Sequence, residues 1–168
     1  MRVPCVVRWP GKIPANTASS AITSTLDILP TFAAISGANS PQDRIIDGKN
    51  IWPILSGMSQ SHPRDAFFYY QMEQLQAVRS GKWKLTLAME SKKRNWGKPE
   101  GKKELALYNL KNDIHEDKNV AESNPKIVKK LQSLAESARE DLGDLNLKGK
   151  GQREAGWVNT ASPRLKEK

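Results

Sequence analysis

The chain has 168 residues, of which 38% are apolar, and its 27 Lys and Arg against 18 Asp and Glu give a formal net charge of +9. This length and apolar content exclude a disordered polymer and allow one domain with a core. No run approaches the roughly 18 apolar residues of a membrane span, and the single cysteine, Cys5, excludes an internal disulfide and a thiolate metal cluster.

Residues 3–9 form a run that is apolar on both faces, which predicts a strand of a covered sheet. Cys5 is expected to be a small buried hydrophobe in that strand. A lone buried strand cannot satisfy its backbone groups, so it requires a sheet that this chain does not supply. We therefore expect the natural protein to begin upstream of Met1.

A helix is predicted after this strand. Ser24 and Asp27 fit a capping box, and Gly37 fits the end of the helix. Its apolar face is predicted to contain Leu26, Leu29, Phe32, Ala33 and Ile35. A short helix over residues 51–55, capped by Asn50, is expected to follow.

From residue 66 onward, the pattern predicts four strands and a helix. The strands are expected at residues 66–70, 75–79, 83–88 and 105–108, with a hairpin turn at 80–82. Alternation places Trp83, Leu85 and Leu87 on one face. Asn124 and Pro125 start the helix, and its apolar stripe consists of Ile127, Val128, Leu131, Leu134, Ala135, Ala138 and Leu142.

Two clusters suggest chemistry but have structural explanations. The acidic run at residues 113–117 resembles a metal site, yet ligands so close in sequence fit a turn and a helix start over 116–121 better. The aromatic run at residues 67–70 resembles a stacking platform. Alternation, however, assigns half of its rings to the core.

Several motifs, in this order, resemble the C-terminal part of the arylsulfatases, the group that includes arylsulfatase A and N-acetylgalactosamine-6-sulfatase. They lie at residues 2–13, 24–37, 77–85, 107–113 and 116–121. Their sequences include RVPCVVRWPGKI, STLDILPT, AVRSGKWKL and LYNLKND. Each motif is moderately specific, and their common order and spacing make the resemblance strong over residues 1 to 144.

The resemblance implies the fold class. The chain would combine an α/β edge with an α+β unit, as the C-terminal fragment of an alkaline-phosphatase-like sulfatase fold. Residues 1–63 would be the remnant of the large α/β domain. Residues 64–144 would form a small four-stranded antiparallel sheet packed by a C-terminal helix. Beyond the resemblance the apolar pattern fades, which predicts a basic, flexible tail at residues 145–168.

The resemblance also implies that the complete enzyme hydrolyses sulfate esters with a formylglycine nucleophile and a calcium ion. None of the family's catalytic or metal-binding residues carries over. Cys5 is followed by Val6-Val7-Arg8 and not by the modification motif, and the resemblance implies that the family's metal-binding Asp and Asn and its active-site Lys lie before the matched region. We therefore expect this chain to have no catalytic residue, no metal ligand and no cofactor, and to be inactive alone. A complete enzyme would be exported, to the periplasm or outside the cell.

The loop between the third and fourth strands can border the active-site mouth in this family. Here that loop is basic, since residues 90–103 hold six basic side chains against two acidic ones. Cations and a Trp suit a sulfated glycan by charge and by ring stacking. The candidate substrate-binding residues are Lys92, Lys93, Arg94, Trp96 and Lys98.

Two other functions stay open at this point. The basic loop and tail could form a polyanion-binding module, although such segments are more often solvated and nucleic acid is not the expected partner. The chain could also belong to a related phosphonate or phosphodiester hydrolase.

Overall fold

A computed structural model describes residues 3–89, 103–154 and 159–160. A short 3₁₀ turn, Thr25–Asp27, leads into the first helix. The helices are α1 (Ile28–Ser36), α2 (Trp52–Leu55) and α3 (Pro125–Leu142). The strands are β1 (Phe67–Gln71), β2 (Gln74–Ser80), β3 (Trp83–Thr86), β4 (Ala106–Asn109), β5 (Gly143–Asp144) and β6 (Leu147–Lys148).

Strands β1 to β4 form an antiparallel sheet in chain order, which confirms the predicted four-stranded sheet. Val78 pairs with Leu85, and Leu85 pairs with Leu107, so one buried apolar residue from each of three strands lies on the same face. The β4 edge is covered, because the Val120 amide donates to the Leu107 carbonyl over 2.9 Å. Helix α3 packs on the apolar face and completes the core.

Helix α3 begins with Pro125 at its first position, as predicted. Leu131, Ala135 and Ala138 of its apolar stripe are buried against the sheet. After the helix, β5 and β6 form a small hairpin that the fading pattern of the tail did not predict. The Leu145 amide donates to the Glu73 carbonyl over 2.7 Å, which fixes this hairpin to the β1–β2 turn.

A buried carboxylate organises the N-terminal part. Asp27 is fully buried and accepts hydrogen bonds from the amides of Ser24 and Lys49, each over 2.8 Å. It also forms an ion pair with Arg64, which stands three residues before β1. One side chain therefore joins the start of α1, the loop before α2 and the entry to the sheet.

Three local predictions differ from the structure. Residues 3–9 form no strand and join neither of the described sheets, and Cys5 is exposed because no strand encloses it. Leu26, Leu29 and Phe32 of the predicted apolar face are exposed, since no described element covers them. Residues 116–121 form no helix, because the Asp113 carboxylate accepts the Asp117 and Lys118 amides and closes a turn instead.

Candidate functional site

The predicted substrate-binding residues Lys92, Lys93, Arg94, Trp96 and Lys98 lie outside the described residues. The structure does describe the two ends of their segment. The Met89 amide donates to the Lys103 carbonyl over 3.0 Å, and the Lys103 amide donates to the Met89 carbonyl over 2.9 Å. This bridge continues the β3–β4 pairing and closes the sheet just before the segment begins.

An open groove lies at the same end of the sheet. Antiparallel pairing puts the β1–β2 turn and the Met89–Lys103 bridge at one end, and the β5–β6 hairpin is bonded to that turn. The groove has a volume of about 430 Å³. Its lining comprises Tyr70, Met72, Glu73, Asn146, Lys148 and Gln152 together with the neighbouring residues 142–145 and 147.

The inner wall of this groove is a hydrogen-bonded cluster. The Tyr70 hydroxyl donates to the Gly143 carbonyl over 2.9 Å. The Asp144 carboxylate accepts the Leu75 amide over 2.9 Å and Nε of Arg139 over 2.7 Å. Burial raises the pKa of the Tyr70 phenol, and the negative charge of Asp144 raises it further. Tyr70 is therefore a neutral hydrogen-bond donor at physiological pH.

The sheet face opposite α3 carries a row of cations and aromatic rings. The Arg64 guanidinium lies 5.7 Å from the Phe67 ring centre, and the Phe67 and Tyr69 rings meet edge to face at 5.1 Å. The Lys84 ammonium lies 5.4 Å from the Tyr69 ring centre and binds both carboxylate oxygens of Glu116, at 2.6 and 2.7 Å. Glu116 and Asp27 neutralise these two cations, so the two ion pairs stabilise the fold. Arg79 pairs with both Phe67 and Lys84 on the same face, and its Nε donates to the Gly81 carbonyl over 3.2 Å.

Glu116 reaches Lys84 from a constrained turn. Its backbone φ is +64°, a left-handed conformation that is unfavourable for Glu. The backbone amide of Lys118 donates a hydrogen bond to the Asp113 carboxylate and is the main cause that lowers its pKa. The backbone amide of Asp117 lowers this pKa further. The acidic run at residues 113–117 is thus explained by a turn and an ion pair.

Other reactive side chains do not converge. The His62 Nδ1 atom accepts the Ile22 amide over 2.9 Å, which is a structural role. Among residues 3–89, 103–154 and 159–160, no group of three His, Cys, Asp or Glu side chains could hold a metal ion. The residues that the structure describes therefore do not fit a calcium site.

Sequence reasoning located part of this arrangement. Alternation correctly placed Trp83, Leu85 and Leu87 on the core face, and it left Lys84 on the opposite one. It missed Glu116 as the partner of Lys84, because an ion pair across 32 positions leaves no local pattern.

Solved structures of sulfatases share this fold. One, from a study of glycosaminoglycan metabolism by Bacteroides thetaiotaomicron, is 27% identical with a TM-score of 0.62 and matches 80% of this chain and 28% of its own. A second was solved with its substrate, D-glucosamine-2-N,6-O-disulfate. It is 25% identical with a TM-score of 0.54 and matches 79% of this chain and 27% of its own.

Curated sulfatases are similar in sequence. Arylsulfatase G of Canis lupus familiaris is 33% identical over 155 residues, which are 85% of this chain and 29% of the relative. Steryl-sulfatase of Mus musculus is 41% identical over 88 residues, which are 50% of this chain and 14% of the relative. The chain thus spans less than a third of these relatives.

These matches define the class, since the fold is that of the C-terminal part of a sulfatase. The family model for the C-terminal region of N-sulphoglucosamine sulphohydrolase matches residues 1–141, and the chain belongs to that family. The resemblance to arylsulfatases and the expected fold class are confirmed. No helix that the structure describes is both long and apolar enough to cross a membrane.

Proposed function

We propose that this chain serves a complete enzyme that hydrolyses sulfate esters of a sulfated glycan, and that the chain alone is inactive. The family match over residues 1–141 carries the proposal. The substrate class is supported by two solved relatives: the structure of one is a complex with its substrate D-glucosamine-2-N,6-O-disulfate, and that of another, 28% identical, is a complex with k-i-k-neocarrahexaose.

The expected inactivity follows from what the described side chains can do. Cleavage of a sulfate ester requires an attacking nucleophile and groups that stabilise the charge growing on the sulfate oxygens. Lys84 and Arg64 are bound to carboxylates, and Cys5 is exposed to solvent. On the family resemblance alone, we propose that calcium and formylglycine belong to the complete enzyme, and we derive no step through either.

The contribution we propose for this chain is substrate contact. Lys92, Lys93, Arg94 and Lys98 would attract sulfate groups, and Trp96 would stack on a sugar ring. The Met89–Lys103 bridge holds both ends of their segment at a fixed position on the sheet. Both ends of the segment leave the sheet at the end where the groove lies, which supports a contact with a substrate from that end.

A direct assay tests the inactivity. The purified chain is incubated with 4-methylumbelliferyl sulfate and, separately, with glucosamine 6-sulfate. Sulfate and fluorophore release should equal the rate in buffer, with or without added calcium. Turnover that follows the chain through purification would contradict the proposal.

A binding assay tests the substrate contact. A sulfated heparin disaccharide is titrated into the chain by calorimetry, with the unsulfated disaccharide as the ligand control. The triple variant Lys92→Ala, Lys93→Ala, Arg94→Ala should bind about tenfold more weakly, because each exposed charge contributes up to about 1 kcal/mol.

The matched control removes three charges elsewhere. Lys126, Lys129 and Lys130 are exposed on α3, and their replacement by Ala lowers the net charge equally. This variant should bind as the parent does. Equal losses in both triple variants would show that net charge alone attracts the ligand, and the loop assignment would be wrong.

A further inference from the structure

The groove beside the β5–β6 hairpin exposes several large apolar side chains. Among its lining residues, Met72 is 77% exposed, Leu142 is 42% exposed and Leu147 is 67% exposed. These three residues come from different elements, which are the β1–β2 turn, the end of α3 and β6. Exposed apolar side chains that share one groove mark an interaction surface.

The groove is preformed, because backbone hydrogen bonds fix its hairpin wall. The Lys150 amide donates to the Glu140 carbonyl over 2.8 Å, so the chain after the hairpin is bonded back to α3. Met72 and Leu145 have backbone φ angles of +54° and +42°, left-handed conformations that are unfavourable for side chains of this size. Residues held in such conformations cluster at ligand-binding sites, and a preformed site loses little conformational entropy on binding.

The hairpin wall lies outside the part of the chain that matches the sulfatase family. The match to the family ends at residue 141, whereas residues 142–148 and Gln152 line the groove. Membership of the family therefore does not explain why this wall is present. The chemistry of the lining residues has to indicate what the groove binds.

Three polar side chains of the groove are available to a ligand. Glu73, Asn146 and Gln152 are exposed, and their side chains bind no residue that the structure describes. A side-chain amide carries both a donor and an acceptor, which is what an extended peptide backbone requires. A carboxylate forms strong hydrogen bonds with Lys or Arg. The groove thus combines apolar contact, amide hydrogen bonds and a negative charge.

The surroundings of the groove are acidic, although the whole chain has a net charge of +9. Residues 136–148 hold four acidic side chains against two basic ones, and the end of α3 adds the negative end of its dipole. Both basic side chains, Arg139 and Lys148, are already bound to carboxylates. A cationic ligand is therefore complementary to this groove.

We propose that this groove binds a short peptide segment of a partner protein, in which an apolar residue stands next to a Lys or Arg. The apolar residue contacts Met72 and Leu147, and the cation pairs with Glu73. The amides of Asn146 and Gln152 bind the peptide backbone. Met72 suits this role because its flexible side chain adapts to different apolar partners. The inference does not depend on sulfate-ester hydrolysis, so the two can fail separately.

Two other occupants fit the groove less well. Arg153 directly follows the lining residue Gln152 and bonds to the Ile45 carbonyl and the Asp47 carboxylate. Neither of these partners lines the groove, so this contact ties the start of the tail to another part of the chain. A second copy joined through the same groove would bring two acidic surfaces together, which is unfavourable.

A peptide titration tests the proposal. The probe is a fluorescein-labelled peptide, Gly-Ser-Leu-Lys-Leu-Arg-Ser-Gly, and its fluorescence anisotropy is measured as the chain is added. One control peptide has serine in place of both leucines, and another has glutamate in place of both cations. The parent chain should bind the probe saturably. Each control peptide should bind at least about tenfold more weakly, because it lacks the apolar contact or the ion pair.

Variants of the chain locate the binding site. Met72→Ser and Leu147→Ser together should weaken probe binding about tenfold, and Glu73→Gln about fivefold. The matched controls are Met58→Ser, at a side chain 69% exposed, and Glu122→Gln, at an exposed glutamate, neither of which lines the groove. Both controls should bind the probe as the parent does. All variants should keep the far-ultraviolet spectrum of the parent, because the changed side chains contact solvent.

The outcomes separate the possible occupants. A parent that does not bind the probe would overturn the proposal, as would equal losses in Glu73→Gln and Glu122→Gln, since net charge alone would then attract the peptide. Removal of residues 161–168 should leave the affinity unchanged. A higher affinity after this removal would identify the tail as the occupant. Self-association of the chain that the probe reverses would identify a second copy, and either result would overturn the proposal.

Discussion

Tyr70 both packs against the core and forms a hydrogen bond to the end of α3. Its ring packs against the core, and its hydroxyl donates to the Gly143 carbonyl at the end of α3. Sequence alternation predicted that half of the aromatic run would enter the core, and Phe68 and Tyr70 do so. The hydroxyl contact was not predictable, because Gly143 lies 73 positions away.

The raised pKa of Tyr70 gives a pH-dependent stability. An unperturbed tyrosine has a pKa of 10.0, so the unfolded chain loses the Tyr70 proton around that pH. The folded protein keeps this proton to a higher pH, because its Tyr70 pKa is raised. The folded state then binds more protons than the unfolded state, so stability falls as pH rises from 10.0 through the folded pKa. The absorbance difference at 295 nm between the parent and Tyr70→Phe should therefore have its midpoint above pH 10.0.

The Tyr70→Phe variant is also the control for this measurement. At neutral pH its free energy of unfolding should be lower than that of the parent by about 1 kcal/mol, because one hydrogen bond is lost. Above pH 10.0, its unfolding midpoint in urea should fall less steeply than that of the parent. Parallel pH curves would show that Tyr70 does not titrate differently in the two states.

At the scale of elements, predictions succeeded where an element finds its partners nearby in the chain. Strands β1 to β4 lie close together in sequence, and α3 follows with a stripe that matches the face they form. The prediction of a strand at residues 3–9 is wrong in this structure, because no described strand pairs with that segment. The predicted helix at 116–121 failed because a side chain, Asp113, bonds the amides that would start it.

The junction of α3 with its hairpin depends on Gly143. Its φ of +88° with ψ of 174° is a conformation essentially restricted to glycine, and an added Cβ would lie 2.4 Å from the Leu147 carbonyl oxygen. Gly37, at the end of α1, has a φ of +74° but open space around it. We expect Gly143→Ala to cost about 3 kcal/mol and Gly37→Ala about 1 kcal/mol in chemical unfolding. Equal losses in the free energy of unfolding would mean that the β5–β6 hairpin can shift to accommodate the added Cβ at residue 143 at no energetic cost.

At the scale of the whole molecule, polar contacts between distant residues join the N-terminal part to the sheet and the tail. Arg64 pairs with the fully buried Asp27, whereas Arg153 pairs with Asp47 where both side chains are about half exposed. The sequence predicted the Ser24–Asp27 relation from spacing, but neither arginine was identifiable, since each lies at least 37 positions from its partner.

The two arginines should contribute unequally. Arg64→Met leaves a buried carboxylate without its cation and should cost about 3–5 kcal/mol. Arg153→Met removes a solvent-exposed pair and should cost at most about 1 kcal/mol. Urea unfolding of both variants measures the difference. Similar values would show that Asp27 keeps enough amide hydrogen bonds to remain buried without Arg64.

The Met89–Lys103 bridge has a consequence for divergence among related proteins. Because the backbone pairing is complete at both positions, the intervening stretch can be exchanged or lengthened without reopening the sheet. Doubling the length of a loop adds only about 0.6 kcal/mol of closure entropy. Evolution can therefore change the sequence and the length of this segment while the four-stranded sheet stays the same.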